Sequence, residues 1–240
     1  IPRVIIKTIY RKDWRTKPAK QPMSNSAFRP DSPLMRAIGR VGDLALVNIL
    51  FLLCSIPVVT IGASAAALYT VSFQMVRGED KQIAKTFFSA FRRNFWQATF
   101  LTVLFLVLGA GLFLDLRVMQ ANPAAFPLVF WVGSGLLALA AAITLPVAFA
   151  LQARFDNSIW RTLKNAFVLA VTHPLTALVA AALTLLPLGL LLFAPYYLLL
   201  SSIFWFLFGF SLIAVANSWL FSRILKQWLP QTPASTSDDE

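Results

Sequence analysis

The side chains able to do chemistry are few in this chain and far apart. Its one histidine, His173, and one cysteine, Cys54, stand 119 positions apart. A thiol–imidazole dyad needs the two groups in hydrogen-bond reach, and no spacing here brings them together. A metal centre needs three or four His, Cys or carboxylate ligands, and no cluster of that kind occurs. The carboxylates stand apart or in loops and tails: Asp13 and Asp31 in a basic opening segment, Asp43 beside the first apolar run, Asp115 near Arg117, and Glu79, Asp80 and Asp156 in loops, with Asp238, Asp239 and Glu240 in the tail. Paired carboxylates for acid–base work are not expected. The residue types predict no enzyme, no cofactor and no metal.

Other polar residues fall inside apolar runs: Asn48, Thr60, Ser64, Thr144, Ser201, Ser202 and Asn217, with Gln74 near one end. None is ionisable, whereas ion-coupled transport usually needs ionisable groups at depth. Their expected use is hydrogen bonding between helices, worth about 0.6–2 kcal/mol each. Small residues four apart, such as Ala177 and Ala181, read as packing faces.

One stretch, "CSIPVVTIGASAAALY" from residue 54, interrupts an apolar run. Pro57 disfavours helix at Ile56 and removes a backbone donor. Gly62 is expected to take the positive φ of a turn, and Ser64 to cap the helix that follows. Two short helices, Val41–Ser55 and Ala63–Val76, should therefore meet in a turn. Each is about 21–22 Å long at about 1.5 Å per residue, short of the roughly 30 Å hydrocarbon core. If a solute or polar-group site exists in the membrane, Thr60, Gly62 and Ser64 are its candidates, at a helix N-terminus suited to an anionic group.

These residues sit in a chain of 240, 58% hydrophobic and 13% charged, with a mean hydropathy of +0.70. Soluble domains carry about 25% charge. The composition and the long apolar runs predict an all-α, polytopic membrane bundle of about six transmembrane helices. The runs are Val41–Pro57, Ala63–Val76, Ala98–Leu114, Phe126–Phe149, Leu175–Ala194 and Tyr197–Phe221. Residues 1–33 form a basic segment with an interfacial helix and a linker, 34–225 the membrane domain, and 226–240 a polar, disordered tail.

The charges then sort themselves. Residues 1–40, 77–97, 150–174 and 222–240 hold 10, 5, 3 and 2 Lys/Arg, and Arg117 alone falls on the other side. The positive-inside rule predicts both termini in the cytoplasm, against an anionic leaflet. The net charge of +11 is explained by topology, and no nucleic-acid partner is expected. "KTFFSAF" (residues 85–91) is echoed by "RTLKNAF" (161–167). Residues 83–97 and 159–172 are expected to be amphipathic helices in the cytoplasmic interface. Phe91, Arg92, Arg93 and Phe95 mark a docking surface there.

Residues 38–99 carry "GRVGD", "LCSIPVVTIG", "AALYTV", "VRGED" and "FFSAFRRNFWQAT". In these the chain resembles the YesL family, bacterial membrane proteins of unknown function. The second half agrees in "TLKNAF" and in its spans. The resemblance implies a multi-pass protein of the bacterial plasma membrane. It also implies a partnership with carbohydrate uptake, since genes of the family often lie near those for sugar import. It supplies no catalytic residues. The expected function is a non-enzymatic accessory or interaction protein, tied to subunits of an ATP-driven sugar importer. The alternative is a small-solute permease or channel with its site at the broken first hairpin.

Overall fold

The computed structural model describes residues 33–79, 82–155 and 158–228. The basic segment up to residue 32 and the tail from 229 lie outside it, and with them the interfacial helix expected near the start. The chain divides into two units, 1–40 and 41–240. The first contributes the opening turns of helix α1, Pro33–Cys54; the packing described below belongs to the second.

Among the described residues the regular structure is all helical, and six helices are long and apolar enough to cross a membrane. The chain is thus a multi-pass helical membrane protein. Helix α1 stops at Cys54, just before Pro57, as the proline requires. A single 3₁₀ turn, Val58–Thr60, runs directly into α2, Ile61–Arg77. Gly78 ends α2 with φ at 73°, the left-handed cap that glycine adopts without strain. Its N–H donates to the Met75 carbonyl at 3.1 Å, and that of Glu79 to the Gln74 carbonyl at 3.0 Å.

Helix α3 runs unbroken from Ile83 to Ala121, 39 residues. This corrects the expectation of a separate surface helix over 83–97: that stretch is the first part of a continuous helix about 58 Å long. Its stripe of Phe87, Phe91 and Phe95 packs on the bundle. Phe87, Ala90 and Asn94 are buried in the bundle. A turn at Pro123–Ala125 leads to α4, Leu128–Arg154. Helix α5, Ile159–Thr172, is the short amphipathic helix the sequence predicts; it buries Thr162, Ala166, Leu169 and Ala170. His173 joins it to α6, Pro174–Phe193.

The last apolar run is less regular than expected. It comprises α7 (Pro195–Leu200), a single turn α8 (Ser202–Phe204), a π-helical turn (Trp205–Gly209) and α9 (Phe210–Trp228).

Helix α2 lies at the centre. One apolar cluster joins its Ala63, Ala66, Tyr69 and Phe73 to residues of α3, α4, α5, α6 and α9, among them Ala177 on the expected α6 packing face. A second joins its other side to Val47 and Phe51 of α1 and to the start of α3. Gly62, Ala63, Ser64, Ala66 and Ala67 are all buried, because small side chains let helices approach closely where lipid supplies no hydrophobic drive. Beyond Thr102 on α3, and on the first half of α4, large apolar residues such as Val107, Leu114, Leu128 and Leu136 are exposed. That is the surface a bilayer covers.

Candidate functional site

At the first hairpin, Thr60 ends the 3₁₀ turn. Its hydroxyl lies 2.6 Å from the Cys54 carbonyl and 2.7 Å from that of Pro57, and donates to one or the other. Ser64 is fully buried and donates to the Thr60 carbonyl at 3.1 Å. It does not cap α2, which begins three residues before it. Gly62 does not take a positive φ either; it is a helical residue pressed against α3. A Cβ there would stand 2.5 Å from the Ala98 carbonyl oxygen and 2.9 Å from the Phe149 ring, and would strike the Thr102 hydroxyl. The turn brings the three candidates together. Their hydroxyls face backbone carbonyls, and the glycine faces protein.

The four residues of the expected docking surface divide. Arg92 and Arg93 are exposed. Phe91 and Phe95 are partly buried and pack on the core, in a ladder with ring centroids 6.5 Å apart from Phe87 to Phe91 and 5.6 Å from Phe91 to Phe95. Trp96, next to Phe95 on α3, is 81% exposed, and Trp160 on α5 is 80% exposed.

Three buried polar sets emerge between helices. Gln152 of α4 donates to the side chain of Gln97 of α3 and, at 3.5 Å, to the side-chain oxygen of Asn94, while Thr162 of α5 donates to Gln152 at 3.4 Å. The sequence does not reveal this set, since the contacts of Gln152 with Gln97 and Asn94 join residues 55 and 58 positions apart, which share no local pattern. Asn217 of α9 donates to Tyr69 of α2 at 3.1 Å and to Thr184 of α6 at 3.0 Å. Asn48 of α1 donates to the carbonyls of Trp205 and Phe206 at 3.0 and 2.7 Å, and accepts from the Ser211 N–H at 2.9 Å. It thereby holds both sides of the π-helical turn. For Asn48 and Asn217 the expected interhelical bonding is what the structure contains.

Residues 44–116 match the model of a family described as a protein of unknown function, DUF624. No curated protein and no solved structure matches the chain. The matched stretch includes the second half of α1, the broken hairpin, α2 and nearly all of α3.

Within that stretch lies a polar pocket of about 420 Å³ between the C-terminal half of α2 and the start of α3. Thr70 and Gln74 line one side; Gln82, Lys85, Thr86, Ser89 and Arg93 line the other. Gln82 has a left-handed backbone at φ 56°, uncommon for a residue with a side chain. Thr70 also reaches toward the Ala153 carbonyl at 3.3 Å, beside Arg154, whose guanidinium sits over the Phe73 ring at 5.5 Å. A larger groove of about 580 Å³ separates the far halves of α3 and α4. Its lining is apolar except where Ser134 donates to Asp115. Among the described residues no three His, Cys, Asp or Glu side chains come together.

Proposed function

We propose that the chain is a non-enzymatic accessory protein of the bacterial plasma membrane, related to the YesL proteins, that binds a partner through the basic end of its bundle. The observation that carries this reading is the exposure of Arg92 and Arg93 on α3, while polar side chains at depth, such as Asn48, are taken up in bonds between helices. A partner of complementary, acidic character suits that surface. Subunits of an ATP-driven sugar importer are the proposed partners, on the strength of the YesL resemblance. The permease alternative draws little support from the hairpin, where Gly62 and Ser64 are packed against protein. Purification in mild detergent tests the reading. Importer subunits should accompany the wild-type chain, and the double substitution Arg92→Glu, Arg93→Glu should release them without disturbing membrane insertion.

The proposed orientation places the basic end in the cytoplasm. With Cys54→Ala as background, Gln120→Cys should react with a membrane-impermeant thiol reagent applied outside intact cells, and Ser158→Cys should not. The reverse pattern would invert the topology.

A further inference from the structure

We infer that the pocket between α2 and α3 binds a phosphate group. Two cationic side chains, Lys85 and Arg93, line it from α3, eight positions and hence about two turns apart on one face. Between them Thr86 and Ser89 supply hydroxyls, and across from them Gln74 supplies an amide, while the Thr70 hydroxyl is taken up by the Ala66 carbonyl at 2.8 Å. None of the described lining residues is acidic. Cations flanked by neutral donors suit a phosphate's several acceptor oxygens, because hydrogen bonds between charged partners are about twice as strong as neutral ones. At about 420 Å³ the space exceeds a single ion and fits a phosphate with the group that carries it. The left-handed Gln82 lies on the same wall, and strained backbone of this kind tends to collect at ligand-holding positions.

Two sources share this chemistry, the headgroup of an anionic phospholipid and a soluble phosphorylated solute. The pocket belongs to two helices that cross or enter the membrane, at the end where basic side chains gather, so both can reach it. The pocket shares Arg93 with the docking surface, and its test therefore turns on Lys85 and Ser89, which the docking reading does not use.

The experiment uses the full chain in nanodiscs of phosphatidylcholine. In one arm phosphatidylglycerol is added to the disc; in the other, sn-glycerol 3-phosphate is added to the buffer. Affinity is read from the shift of the thermal unfolding midpoint with ligand concentration. Lys85→Glu should weaken binding about ten- to a hundredfold, the effect of losing one charge-assisted hydrogen bond. Lys164→Glu makes the same change of charge on α5, outside the pocket, and should leave binding unchanged. Ser89→Leu fills the pocket without altering charge and should also abolish the shift. Stabilisation in the lipid arm alone assigns the site to a headgroup; stabilisation by the soluble phosphate assigns it to a solute. No shift in either arm, or an equal loss in Lys85→Glu and Lys164→Glu, overturns the proposal.

Discussion

Gly62→Ala is expected to destabilise the bundle by about 1–3 kcal/mol, the usual cost of overpacking, and Gly62→Leu by more. The reason lies in the neighbours. The added Cβ would meet the backbone carbonyl of Ala98 at 2.5 Å, and a carbonyl within a helix cannot swing away as a side-chain tip can. Helices α2 and α3 would have to separate along the contact that also buries Ala63, Ala66 and Leu101. Gly109→Ala and Gly133→Ala are the controls, since a Cβ at either site has nothing within 4 Å. Those two should be neutral or slightly stabilising, alanine being the better helix former by about 1 kcal/mol in water. Reversible unfolding of the four variants in detergent checks the contrast. Equal stability of Gly62→Ala and wild type would mean that α2 and α3 do not pack this closely.

Asn48→Leu should cost about 2–4 kcal/mol. Leucine has the branching of asparagine and a larger bulk, so no cavity forms and the loss combines broken hydrogen bonds with some overpacking. The substitution would strip partners from the Trp205 and Phe206 carbonyls and from the Ser211 N–H, in a position with no solvent exposure. Unsatisfied buried groups cost about 1–3 kcal/mol each in proteins generally, but interhelical bonds in membranes average nearer 0.6; the expected value lies between these bounds for three groups. Asn48→Ala should cost more, by adding a void. The same unfolding measurement applies, with near-ultraviolet circular dichroism reporting Trp205, which lies 5.7 Å from the Phe210 ring. A neutral Asn48→Leu would show that the π-helical turn needs no tie to α1.

Much of this architecture is legible in the sequence, for identifiable reasons. Span lengths follow from apolar runs, and the break before Pro57 follows from proline's missing donor. Helix α5 follows from its periodicity. That same periodicity misled over residues 83–97. A stripe of Phe87, Phe91 and Phe95 looks alike whether it lies on headgroups or on protein, and only α2 beside it decides. Gly62 was expected in a left-handed turn; its actual use, a close approach to α3, depends on Ala98 and Phe149, which no local pattern reveals. Ser64 failed as a cap because the 3₁₀ turn Val58–Thr60 enters α2 without a gap. The pocket was invisible for a similar reason: Thr70 and Lys85 belong to different helices, and their relation exists only once α2 and α3 are paired.

If the chain acts as proposed, it holds a partner through exposed arginines at the basic end of its bundle. The most direct test is side-by-side purification of the wild-type chain and the Arg92→Glu, Arg93→Glu variant from the same bacterial membranes, with the accompanying proteins quantified. Importer subunits should accompany the wild type and be at least about tenfold less abundant with the variant, as expected for losing two interfacial charges, at equal membrane yield. Equal recovery of those subunits with both chains, or their absence from both, would contradict the proposal.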